Sequence, residues 1–266
     1  MSALMGDRFD GMVVSAGPGN ATPAGAGEPG LAAAAATLAA AVRAGVRQHA
    51  DPEYVAGTVA ARRPGKPVLG VRIPLLRGVV RAALRVVTPR RGCAEPGLVR
   101  AAATLLWHGD VHEDELAACM LLRLAGVAPT PAMLAGWVPL LDNWLSVDEL
   151  GGVLGAAVQS GQLVVDDVTG LAGGSVWQRR LFLVALITPV RAGLDPQAVP
   201  RLADVLPDPA QPVRKAALWL ITAVLKTRPA AAEQFGRLLA GEDVPCPLLR
   251  LLGPAAPGKQ VMPAPP

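Results

Sequence analysis

Two short segments carry the residue types best suited to chemistry. In Leu141-Asp142-Asn143-Trp144-Leu145-Ser146-Val147-Asp148, either Asp142 or Asn143 can cap a helix whose first turns carry Trp144 and Asp148. In Ser175-Val176-Trp177-Gln178-Arg179-Arg180, Ser175 caps, and Trp177 and Arg180 follow one turn apart. Residues at that spacing share a helix face, so each segment sets an aromatic plate beside a charged group. If the two helices lie side by side, two Trp, a carboxylate and a guanidinium converge. An aromatic wall with an acid and an anion clamp suits a substrate that is cationic and carries phosphate. Plainer roles compete. Asp148 with Glu149 is also a first-turn acid favoured by the helix dipole. Arg180 can instead close an ion pair with Asp166 or Asp167, and any Trp in an Ala/Leu helix can be core. By spacing Trp177 sits on nearly the same side as Arg180.

A second feature is the distribution of charge. The whole chain has a formal net charge of only +4. Yet residues 62–100 hold Arg62, Arg63, Lys66, Arg72, Arg77, Arg81, Arg85, Arg90, Arg91 and Arg100 against one acid, Glu95. Arg77, Arg81 and Arg85 repeat every fourth residue, while Leu76, Val80, Ala83 and Leu84 mark another face. Solvated helix faces normally mix signs, so a row of guanidinium groups points to a phosphate backbone.

Other constellations are poorer. His108 and His112 stand near Asp110, Glu113 and Asp114, but Gly109 and Asp110 break the helix between them, which argues against a metal face. Cys93, Cys119 and Cys246 are scattered and odd in number, as expected of a reduced, cytoplasmic chain without a zinc site. The glycines of the first 28 residues lack the strand and the Lys-Ser/Thr of a phosphate loop.

Trp144-x-x-x-Asp148 followed by Trp177-Gln178-Arg179-Arg180 resembles the signature of the AlkD-type DNA alkylation repair glycosylases. Leu69-Gly70-Val71-Arg72-Ile73-Pro74-Leu75-Leu76-Arg77 is similar to that family's Leu-Gly-Val-x-x-Pro-x-x-Arg element. Leu106-Trp107 with His112-Glu113-Asp114-Glu115-Leu116-Ala117, and Val213-Arg214-Lys215-Ala216-Ala217-Leu218-Trp219, resemble its further helices. The resemblance implies a curved α-solenoid of HEAT-like repeats with a concave, DNA-binding face. It also implies base excision of positively charged N3- and N7-alkylpurines from duplex DNA by a monomer, with no metal or cofactor expected; Lys66, Lys215, Lys226 and Lys259 lack a helix-hairpin-helix setting, so no lyase activity is expected either. In that scheme Asp148, Trp144 and Arg180 are catalytic, and the place of Trp177 in the motif leads to the expectation that it packs inward. Asp148 faces the developing sugar cation and orients water, and Arg180 holds a backbone phosphate. Trp219, Arg72, Arg77, Arg81, Arg85, Arg179 and Lys215 make up the DNA-contacting set. Arg179 points about 100° away from Arg180 on a helix, so the two cannot face a cleft equally. A non-catalytic HEAT-like module that binds DNA or protein is the competing reading.

The elements that must position these residues are helical. Ala and Leu dominate the 266 residues, and the 29 Gly and 26 Pro read mostly as punctuation between periodic segments. The spacing predicts helices near 31–48, 51–62, 73–87, 96–108, 112–125, 131–141, 144–159, 174–191, 197–205, 210–226 and 229–240. Residues 161–169 read as either a strand or a short helix. The run 31–46 is apolar, but Arg43 and Arg47 interrupt or end it and no basic region precedes it, so a soluble helix is expected and no membrane partner. The repeat domain is expected over 29–252, with disordered tails at 1–28 and 253–266.

Overall fold

Proline marks where many helices begin. Pro52, Pro74, Pro96, Pro131 and Pro212 each fall at the first or second helical position, where a missing N–H costs nothing. The computed structural model describes residues 28–62, 64–88 and 93–253. The expected disordered ends lie outside this set apart from Glu28 and Gly253, as do Arg63, Arg90 and Arg91 of the basic stretch.

The described chain is all-α, with no strand: α1 (Glu28–Gln48), α2 (Pro52–Arg62), α3 (Ile73–Val87), α4 (Pro96–Trp107), α5 (His112–Ala125), α6 (Pro131–Trp137), α7 (Trp144–Gln159), α8 (Asp166–Thr169), α9 (Val176–Ala192), α10 (Leu202–Val205), α11 (Gln211–Leu225), α12 (Ala231–Leu238) and α13 (Cys246–Leu252). Helix α1 lies on α3 and α4, and α4 lies on α5. Helices α3, α5, α7, α9 and α11 then pack each against the next, the arrangement of a helical repeat stack. Every candidate site residue sits on this file or at its entrance. The apolar face of α1, with Ala35, Leu38, Ala39, Val42 and Val46, is buried by the same packing.

Close packing of α7 on α9 depends on glycine. A Cβ at Gly151 would lie 2.6 Å from Val184 Cγ1, and one at Gly155 would lie 2.7 Å from the Ala185 carbonyl oxygen. Glycine inside a helix costs about 1 kcal/mol relative to Ala. Here it lets two helix backbones approach, so these glycines are not punctuation. Gly155→Ala meets backbone that cannot rotate away, and a loss of roughly 1–3 kcal/mol is expected in chemical denaturation. Gly161→Ala would make a poor control, because its φ of +74° carries its own strain.

Several boundaries differ from expectation. Helix α1 starts at Glu28, three residues before 31. The ambiguous 161–169 stretch resolves to α8 followed by a 3-10 turn at Gly170–Gly173, since Asp167 bonds back to the Val164 N–H at 2.8 Å and closes a turn there. The single helix expected at 197–205 is broken. A 3-10 turn at Pro196–Ala198 and α10 flank Arg201, whose φ of 62° ends any continuous helix. Helix α13 had no counterpart in the periodicity; its buried Leu248 and Leu252 close the end of the stack.

Candidate active site

The start of α7 is determined by its cap. Asn143, only 1% exposed, accepts from the Leu145 and Ser146 N–H groups through Oδ1, both at 3.0 Å, so Asn143 rather than Asp142 is the cap. This sets Trp144 and Asp148 one turn apart on one face. Helix α9 begins at Ser175 with a reciprocal capping box to Gln178, which sets Arg180 in its second turn.

The two helices bring Asp148 and Arg180 into direct contact. Arg180 donates from Nε to Asp148 Oδ1 at 2.9 Å and from Nη2 to Oδ2 at 2.8 Å, a bidentate pair. Its Nη1 donates to the Pro212 carbonyl oxygen at 2.6 Å, tying α7, α9 and the start of α11 together. The side chains are only 14% and 7% exposed. Burial pushes the Asp148 carboxyl above its ordinary value, against the downward pull of Arg180. The expected alternative partners of Arg180, Asp166 and Asp167, are not its partners. A guanidinium has five N–H donors, so Arg180 keeps two beyond those named. Beside the pair, burial likewise raises Glu149, with Arg123 and Arg77 pulling down and Asp148 pushing up.

Trp144 is half-buried against the core, and Trp177 also packs on the core, as expected of it. Trp219 is 45% exposed on α11, one turn beyond exposed Lys215. The solvent side of α3 carries Arg77, Arg81 and Arg85, all exposed and without an ion pair among the described residues, opposite buried Leu76, Val80, Ala83 and Leu84. Arg72 lies 4.8 Å over the Tyr54 ring and 3.4 Å from Asp51, exposed but partnered. Arg179 has a different position from the rest of the set. It donates to Asp208 at 2.6 Å and to the Gly174 carbonyl at 2.7 Å, bracing the turn into α9 against the segment before α11. His108 is exposed beyond α4 while His112 is buried, so the two do not share a face.

Three arrangements escaped sequence reasoning. The Glu113 carboxylate accepts from the backbone N–H groups of Leu69 at 3.0 and 3.1 Å, Gly70 at 2.8 Å and Val71 at 3.2 Å. Gly70, at φ +82°, leaves no room for a Cβ beside the Asp51 carbonyl. The Leu-Gly-Val element is therefore a backbone cradle for a buried carboxylate. Trp107 and Trp137 stack with centroids 4.4 Å apart and planes 2° from parallel. Third, Lys66 Nζ donates to the Trp107 carbonyl at 2.8 Å and lies 3.0 Å from Glu115 Oε1, whose Oε2 accepts from Ser146 Oγ at 2.8 Å. Burial alone would raise Glu115, but His112 beside it at 3.8 Å, the Lys66 ion pair and the Ser146 hydrogen bond hold its carboxyl below the ordinary range. Nothing local in His112-Glu113-Asp114-Glu115 says what these acids hold, because their partners lie on other segments.

The exposed α3 row makes a salt-sensitive prediction. Replacing Arg77, Arg81 and Arg85 with Gln should weaken binding to all duplex sequences alike. The slope of log affinity against log salt should flatten by roughly one unit per lost contact. Unchanged affinity and slope in a filter-binding titration would mark the row as an ordinary solvated face.

No curated protein gives a significant match to the chain. The model of one protein family, described as DNA alkylation repair enzyme, matches residues 42–236. The matched span runs from α1 to α12 and takes in the α3 row, the Glu113 cradle, the Asp148–Arg180 pair and Trp219. The chain belongs to the DNA alkylation repair enzyme family, and its role is in DNA repair.

Proposed function

We propose that the chain is a monofunctional DNA glycosylase that hydrolyses the N-glycosidic bond of positively charged N3- and N7-alkylpurines in duplex DNA. The observation that carries this reading is the buried Asp148–Arg180 pair beside Trp144 at the α7–α9 junction. An alkylated purine already carries positive charge and is a good leaving group. The enzyme has mainly to stabilise the sugar cation that develops and to place a water. Water adds to C1′ as the C1′–N9 bond breaks. The bonding pair leaves with the base, whose charge it neutralises, and the water proton passes to Asp148 or solvent.

Arg180 has two functions in this scheme. It keeps Asp148 ionised in a poorly solvated position, and its remaining N–H groups reach a backbone phosphate. Trp144 and Trp219 contact the deoxyribose through their ring faces. Arg72, Arg77, Arg81, Arg85 and Lys215 supply phosphate contacts, while Arg179 acts mainly through its brace on Asp208. The protein works as a monomer, without metal or cofactor, in the cytoplasm on nucleoid DNA.

One observation favours the second reading, a non-catalytic DNA-binding module: each Asp148 carboxylate oxygen already accepts a bond from Arg180. Release of 7-methylguanine from duplex DNA separates the two. Free base with an intact abasic strand supports the glycosylase. Tight, salt-dependent binding without any base release over spontaneous loss supports the module.

A further inference from the structure

The loop between α2 and α3 is linked by two routes to the start of α7, one through Asp142 just before its cap and one through Glu115 of α5. Through the first, the Gly65 N–H donates to Asp142 Oδ2 at 2.7 Å, and Asn143 Nδ2 donates to Asp142 Oδ1 at 2.8 Å. Through the second, Lys66 meets Glu115, and Glu115 takes the Ser146 hydroxyl. Asn143 Nδ2 also lies 3.2 Å from Ser146 Oγ, so the two routes join within one turn. Glu115, Asn143 and Ser146 are 7%, 1% and 1% exposed, and buried polar groups of this kind persist where each has its partners.

Ser146 lies between Trp144 and Asp148 in sequence. A helical Ser usually turns its hydroxyl to its own backbone or to water. Here it crosses to a carboxylate on α5, which is itself held by Lys66 from the loop. From this geometry we infer that Ser146, Glu115 and Lys66 are positioning residues: they set the rotation of the α7 first turn about its axis and thereby place Trp144 and Asp148. The inference rests on the glycosylase reading for its catalytic consequence but not for its structural one. Ser146 is buried away from any ligand, so its effect passes through Asp148. A displacement of about 1 Å at a reacting group can lower a rate by roughly 10²-fold.

The test uses the full chain with Ser146→Ala, Glu115→Ala and the double variant. It measures single-turnover base release, DNA affinity and amide hydrogen exchange. Ser146→Ala is expected to lower kcat by about tenfold or more at unchanged affinity for duplex DNA. Exchange should quicken at the amides of 145–148 while the rest of the stack keeps its protection. If both residues act through one bond, the double variant loses no more rate than the worse single variant. Ser146→Thr, which keeps the hydroxyl, should recover most of the rate. If Ser146→Ala leaves both rate and exchange unchanged, the inference is overturned. It is equally overturned if the two losses multiply, or if affinity falls in step with kcat. Should the unaltered protein release no base, the glycosylase reading falls alone. Local exchange at 145–148 then still decides the positioning role, quickened for it and unchanged against it.

Discussion

Asp148→Asn is expected to slow release of 7-methylguanine by about 10²–10³-fold while leaving duplex affinity close to that of the parent protein. The reason is that the carboxylate stabilises charge that exists only as the glycosidic bond breaks; the bound ground state gains little from it. The effect has a pH signature. Burial sets the Asp148 carboxyl above its ordinary value, so activity should rise with pH through that raised value, and the Asn variant should lack this limb. Stability moves the other way. A carboxyl whose folded value is raised contributes stability that is complete below its unfolded value and is lost as pH rises through the folded one. The Asn variant escapes that loss at neutral pH but leaves the Arg180 guanidinium without its counter-charge, so its melting midpoint is also expected to fall. Base release at the parental rate from a folded, DNA-binding Asp148→Asn protein would remove Asp148 from the mechanism.

Arg180→Ala produces the larger damage, because it removes one half of a buried pair and leaves the other half behind. Breaking such a pair costs about 3–5 kcal/mol, whereas replacing both partners by apolar groups can be neutral. For a domain of this size that is on the order of 10 °C in melting midpoint. Arg180 also holds the Pro212 carbonyl, so the start of α11, which carries Lys215 and Trp219 farther along, loses an anchor as well. Both base release and DNA affinity should fall, since the same guanidinium orients Asp148 and reaches the phosphate. Combining Arg180→Met with Asp148→Leu separates the two contributions. The double variant should regain much of the melting midpoint and none of the activity. A single Arg180→Ala protein with parental stability and affinity would contradict both roles at once.

Arg179 and Arg180 could not be told apart fully from their positions. Adjacent residues on a helix point about 100° apart, so one guanidinium was bound to face elsewhere. Which acid each would meet depends on the segment that folds back from far along the chain. Asp208 takes Arg179 and Asp148 takes Arg180, at separations of 29 and 32 residues. Sequence distance carries no trace of those choices.

Local physics was legible. A cap at Asp142 or Asn143, the Ser175 cap, the shared face of Trp144 and Asp148, and the separate faces of the α3 arginines and of Leu76, Val80, Ala83 and Leu84 all follow from chemistry within one or two turns. The same locality explains the failure at 197–205, where a single backbone conformation at Arg201 outweighed a helical pattern of apolar residues.

Alone, then, the amino-acid sequence determined that this chain is helical, where most of its helices begin, which face of each is apolar, and that an acid, an arginine and tryptophans stand ready on two of them. Periodicity and capping depend on neighbours in the chain, which the sequence contains. The tertiary structure alone decided that Gly151 and Gly155 are contact surfaces, that the Leu69-Gly70-Val71 backbone cradles Glu113, and that Asp148 and Arg180 hold each other. Those are properties of helices meeting. The close approach, the burial that raises Asp148 and the bidentate geometry exist only once α7 and α9 are packed.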